Sequence, residues 1–119
     1  MHRILIAEDE ARIAAFIEKG LRKHGYDTET VTNGLDAIAK ATTEDFALLL
    51  LDIGLPGKDG WQVLQELRQF TQKLPVIVVT ARDGESDRQE SFKRGANDYL
   101  GKPFRFNDLL EKVNQQLPP

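Results

Sequence analysis

The chain has 119 residues, a net charge of −3, 40% hydrophobic and 29% charged residues, and no cysteine. These values suit one globular domain, residues 1–119, with a real core; they exclude disulfides, thiolate metal centres and a chain whose overall charge would draw it to nucleic acid. The longest apolar run, residues 46–51, is far too short to cross a bilayer, and "MHRILIAEDE" meets acids too soon for a signal peptide, so a cytoplasmic protein without membrane contact is expected.

A strand is predicted over residues 4–7, followed at once by Glu8 and Asp9. Ile13, Phe16, Ile17 and Leu21 then recur at helical spacing, with Lys23 and His24 suited to a helix C-terminus and Gly25 to its stop. A weaker β-like stretch at 28–31 precedes an amphipathic one at 35–41. Residues 47–51 are apolar throughout, as in a strand buried on both faces, yet they run into Asp52 and the turn "GLPGKDG". An amphipathic segment at 61–70 leads to a second apolar strand at 76–79, which ends in Thr80 and Ala81. A fourth amphipathic segment at 86–94, a β-like stretch at 98–100, then Lys102 and Pro103, and a last helix at 107–117 complete the pattern. The final proline pair reads as a natural end or as the start of a linker, and no effector domain is expected within these residues. His2 reads as a frayed end and His24 as structural. "GANDYLGK" lacks the spacing of a phosphate-binding P-loop.

Strand and helix thus alternate five times, which predicts an α/β sheet with helices on both faces and right-handed crossovers. Ligands of such sheets bind beyond the carboxyl ends of the strands. Glu8, Asp9, Asp52, Thr80 and Lys102 all follow strands, so they should converge on one edge. Three clustered carboxylates repel unless a cation joins them, and an all-oxygen donor set favours a hard ion such as Mg²⁺. Lysine and a hydroxyl suit a phosphoryl group, and aspartate is a known nucleophile in acyl phosphate formation. Taken one at a time, these residues also have plainer readings: acids at a helix N-terminus, a turn former, a strand end and a solvated loop lysine.

With "ILIAEDE", "LLLLDIGLPGKDG", "VIVVTAR" and "GANDYLGKPF" in this order, the whole chain resembles the receiver domain of a two-component response regulator. The resemblance implies a flavodoxin-like receiver fold: a parallel sheet of order 2-1-3-4-5 flanked by five helices. It implies Asp52 as phosphoacceptor from a histidine kinase, with slow loss of the phosphoryl group rather than conventional enzymatic turnover. Asp9, Asp52 and the Gly54 backbone carbonyl would hold Mg²⁺, with Glu8 acting through water. Lys102 would bind phosphate, Thr80 would be the switch hydroxyl, and Tyr99 would turn inward on activation. The Lys102–Pro103 bond would be cis, and Ala81 would leave room for a donor. Gly54 and Arg82 occupy positions that tune phosphate lifetime in the family.

The turn motifs most resemble receivers of winged-helix transcriptional regulators, which dimerise through the fourth helix, fifth strand and fifth helix. Arg88, Asp98 and Lys112 match candidate charged contacts there, although "RQESFKRGAND" and "EKVNQQL" depart from the usual pattern. DNA would be reached only through a separate effector domain. Three rivals remain. An aspartyl phosphatase would want a second carboxylate where Gly54 stands. A flavin-binding domain would want a phosphate cradle where "AEDEAR" places acids. A phosphate-independent partner-binding receiver would not need the complete acid, threonine and lysine set.

Overall fold

The computed structural model describes residues 2–81 and 84–118. Five strands and five helices alternate: β1 (Arg3–Ala7), α1 (Ala11–Lys23), β2 (Asp27–Val31), α2 (Gly34–Thr43), β3 (Leu48–Leu51), α3 (Gly60–Phe70), β4 (Val76–Thr80), α4 (Glu85–Lys93), β5 (Asp98–Gly101) and α5 (Phe106–Gln116). All strand pairings are parallel, in the order β2-β1-β3-β4-β5. Both the strand order and the helix count agree with the expectation.

The apolar runs explain the layering. Side chains alternate across a strand, so a continuously apolar strand feeds two cores. Leu49 and Leu51 of β3 join Leu5, Val76 and Val78 in the core beneath α2 and α3. Leu48 and Leu50 join Ile4, Ile6, Ile77 and Val79 beneath α1 and α5. Every residue of β3 and β4 is buried.

Helix ends follow local chemistry. Gly25 takes φ 88°, and the N–H groups of Gly25 and Tyr26 donate to the carbonyls of Arg22 and Leu21, which is a Schellman closure of α1. The Asn33 side chain accepts from Asp36 N–H to start α2, and Asp59 with Gln62 forms a capping box at α3. His24, predicted as structural, donates from Nδ1 to the Gly20 carbonyl at 2.9 Å and stacks on Phe106.

Two expectations shift in detail. Phe16, at helical spacing with the buried stripe of α1, is 50% exposed, its ring tilted against Phe104 and perpendicular to Phe106. The segment 86–94 is helical but not amphipathic: among its described residues only Ser91 is buried in α4. Its sequence "ESDRQESFK" offers Phe92 as the lone large apolar residue, and Arg88 lies over that ring instead of the core.

The loop after β3 is fixed by a close backbone approach. Gly34 N–H donates to Pro56 O at 3.1 Å, and a Cβ on Gly34 would lie 1.8 Å from the Lys58 carbonyl oxygen. Backbone cannot rotate away as a side chain does, so Gly34→Ala must separate α2 from this loop. The expected loss is about 1–3 kcal/mol of stability, to be measured by urea denaturation.

Candidate functional site

Backbone hydrogen bonds bring the strand tips together before any side chain acts. Asp52 N–H donates to Ala7 O at 3.1 Å, Glu8 N–H to Val31 O at 3.0 Å, and Lys102 N–H to Thr80 O at 2.8 Å. The ladder therefore continues past each strand and sets Glu8, Asp52, Thr80 and Lys102 along one edge.

Lys102 joins the acids. Its ammonium lies 2.7 Å from Glu8 Oε1 and 3.1 Å from Asp52 Oδ2, with Glu10 Oε1 at 3.9 Å. Asp52 Oδ1 accepts from Gly54 N–H at 3.0 Å, and Glu8 Oε2 accepts from Glu10 N–H at 3.1 Å. Both Asp52 and Glu8 are buried, whereas Asp9 is exposed. Burial raises the Glu8 carboxyl above the ordinary 4.5, an effect that the Lys102 and Glu10 hydrogen bonds oppose and the Asp52 charge reinforces. Burial works the other way on Lys102, but the Glu8 hydrogen bond and the Asp52 charge outweigh it and hold the ammonium above 10.5. The two partners differ because Lys102 has two carboxylates, while Glu8 shares its one cation with Asp52.

Carboxylate oxygens of Glu8, Asp9 and Asp52 lie within 4.8 Å of one another. An all-oxygen set of that span fits a small hard cation. Both Glu8 oxygens are already engaged, so the exposed Asp9 is the acid with free capacity.

Thr80 is buried at the end of β4, and Tyr99 is buried among Val76, Val78 and Ala96 on the α3 side of the sheet. Ala81 is exposed, and the Lys102–Pro103 bond is cis. Arg82 lies outside the described residues. Beside Lys102, a groove of about 380 Å³ runs between α1 and the turn after β5, lined by Glu10, Ile13, Phe16, Ala81 and Phe104. Arg88, Asp98 and Lys112 are not drawn into the site. Lys112 pairs with Asp98 of the same chain at 3.1 Å, and Arg88 with Glu85 at 3.3 Å. Glu10 was not among the residues expected at this edge, and its approach to Lys102 was missed. The signal available was three successive acids on a strand tip.

A fivefold β-α sheet with acids, a threonine and a lysine on its carboxyl edge defines a receiver-type signalling domain. Residues 4–114 match the family described as the response regulator receiver domain, and the chain belongs to that family. It is 48% identical over 115 residues to the transcriptional regulatory protein HprR of Escherichia coli strain K12, covering 97% of this chain and 51% of that protein. It is 38% identical over 117 residues to the transcriptional regulatory protein PcoR of Escherichia coli, covering 98% and 52%. The chain thus spans about half the length of these relatives. In structure it is similar to the receiver domain of the Francisella response regulator 1452, with TM-score 0.93, 32% identity, and 98% and 96% of the two chains covered. It is also similar to the receiver domain of the sensor histidine kinase PA1611 from Pseudomonas aeruginosa PAO1, which has a magnesium ion coordinated in its active-site cleft. That match has TM-score 0.90 and 31% identity, covering 99% and 98%. Among the described residues no helix is long and apolar enough to cross a membrane.

The raised Glu8 carboxyl has a defined pH consequence in metal-free buffer. A group whose folded pKa is raised contributes stability that is full below its unfolded value and is lost as pH climbs through the folded value. Glu8→Gln removes that titration. The stability of the variant relative to wild type should therefore rise with pH from about 4.5 and level off beyond the raised value, as read by denaturant titrations across the range.

Proposed function

We propose that this domain is a phosphorylation-controlled switch of a two-component system, with Asp52 accepting a phosphoryl group from a histidine kinase. The observation that carries the reading is the Lys102 ammonium within hydrogen-bond reach of Asp52, beside a three-acid cluster at the carboxyl edge of the sheet. In the transfer, Asp52 forms a bond to phosphorus as the donor's P–N bond breaks, and imidazole leaves with the electron pair. Lys102 swings its charge from the carboxylates to the phosphoryl oxygens, and Gly54 N–H holds Asp52 Oδ1 in place.

Asp9 and Asp52 would hold Mg²⁺ directly with the Gly54 carbonyl, and Glu8 would act through water. Bound there, the ion supplies charge neutralisation for the phosphoryl oxygens. The magnesium in the PA1611 receiver and the oxygen-only donor set support this assignment.

Downstream, Thr80 reaches toward the phosphoryl group and Tyr99 occupies the space beside it, altering the surface of α4, β5 and α5. Dimerisation through that surface would require Lys112 and Asp98 to exchange their internal pairing for one across the interface. The transcriptional regulators among the relatives support an output in transcription through a winged-helix domain separate from these residues. A cytoplasmic location follows from the same reading.

Two measurements test it. Incubation with Mg²⁺ and a small phosphodonor should add one phosphoryl group by intact mass in wild type, and none in Asp52→Asn or without metal. An adduct on the asparagine variant would remove Asp52 from its role. The only tryptophan, Trp61, lies under the Arg94 guanidinium that closes α4, 5.1 Å from the ring. Phosphorylation should therefore change its fluorescence, and Thr80→Ala should suppress the change while leaving the mass adduct. An equal change in both would break the proposed relay.

A further inference from the structure

We propose that Glu10 sets donor specificity: its carboxylate lines the groove as a negative charge that disfavours donors with an anionic leaving group. This rests on the reading of Asp52 as phosphoacceptor.

The Glu10 side chain is not spent on capping its helix. Glu10 is the N-cap residue of α1, yet its side chain makes no capping hydrogen bond. The side chain is 62% exposed and lies 3.9 Å from the Lys102 ammonium, beyond hydrogen-bond range. Lys102 is already matched by Glu8 at 2.7 Å and Asp52 at 3.1 Å. With Asp9, which clusters with Glu8 and Asp52, four carboxylates and one ammonium share this edge, so even a bound divalent cation leaves an excess of negative charge. Glu10 is the member of that set that also lines the groove beside the exposed Ala81, with Phe16 and Phe104 as apolar walls.

Geometry bounds the effect. A phosphoryl oxygen bonded to Lys102 sits about 2.8 Å from the ammonium, which places it within about 6.7 Å of Glu10 Oε1, given the 3.9 Å separation. At that range each unit of charge changes donor affinity about threefold with water-like screening. Salt at physiological strength, with a Debye length of roughly 8 Å, reduces but does not abolish this. The phosphoryl group itself is common to all donors, so discrimination falls on the leaving group. Acetyl phosphate releases acetate, which takes the electron pair of the broken P–O bond and gathers negative charge. Phosphoramidate releases ammonia, which takes the pair of the broken P–N bond and holds the protons it already carried. Phosphohistidine releases imidazole in the same sense, so Glu10 favours the nitrogen donors.

The test compares second-order rates of Asp52 phosphorylation by acetyl phosphate and by phosphoramidate at saturating Mg²⁺. Wild type, Glu10→Gln and Glu10→Lys are followed by intact mass, with Mg²⁺ affinity and thermal stability measured separately. The acetyl phosphate to phosphoramidate rate ratio should rise, by up to about threefold for a full unit of charge, in Glu10→Gln at low salt, further in Glu10→Lys, and converge toward wild type as salt is added. A ratio that stays constant while both rates move together, or a shift indifferent to salt, overturns the proposal and leaves the phosphoacceptor assignment standing. No adduct from either donor on wild type with Mg²⁺ bound would overturn that assignment and this proposal with it.

Discussion

The structure turns on one ammonium group. Asp52 is a carboxylate carried to the tip of a strand made only of leucine, and Glu8 is buried beside it. Two buried acids at such a place are unfavourable without a cation, and Lys102 lies within 3.1 Å of both. Removing one partner of a buried pair generally costs about 3–5 kcal/mol, because the remaining charge is left uncompensated. The lysine therefore stabilises the resting arrangement with the same contacts that would have to be redirected to a phosphoryl group. Under the proposed function, rest and reaction would compete for one cation.

That competition works only if the groups are fixed with respect to each other, and the sheet provides this. The three bridging backbone bonds beyond the strand ends tie β1 to β3, β1 to β2, and β4 to the residue that carries the lysine. None of them involves a side chain of the site. The fully apolar β3 and β4, buried on both faces, anchor the ladder from which these bonds extend. That a carboxylate ends the most apolar run follows from the same packing. Burial on both faces fixes the strand, and the carboxylate at its tip is held in place by the ladder.

Much of this was legible in the sequence, for reasons that differ by element. The β3 and β4 runs were readable because burial on both faces leaves no polar positions, and the order of strand-end residues placed Glu8, Asp52, Thr80 and Lys102 on one edge. The helix end at Gly25 was readable because its φ of 88° suits glycine. What escaped was side-chain direction. Nothing in the periodicity of α1 says that Phe16 lies half out of the core, since that depends on Phe104 and Phe106 arriving from far along the chain. The turn of Glu10 toward Lys102 likewise depends on the path of the chain after β5. The internal Lys112–Asp98 pair was unreadable in the same way: both residues were visible as charges, but their partner choice is a matter of packing.

The contrast between α4 and the rest of the molecule would give the proposed switch a mechanical asymmetry. Among the described residues of α4 only Ser91 is buried, and its hydroxyl donates back to Asp87 O within the helix. Little apolar area therefore holds the body of α4 to the sheet. Its C-terminal end is held differently. The Arg68 side chain of α3 donates from Nε to Gly95 O at 2.9 Å and from its terminal nitrogen to Asn97 Oδ1 at 3.0 Å, while Arg94 lies over Trp61. Asn97 Oδ1 also accepts from Val76 N–H at 2.9 Å, joining the turn to β4. A helix gripped at one end and weakly buried along its length has a low cost of displacement about that end. The rigid strand tips and the loosely held helix are neighbours through β4 and β5, so a change of charge at Asp52 meets a fixed platform on one side and a compliant element on the other.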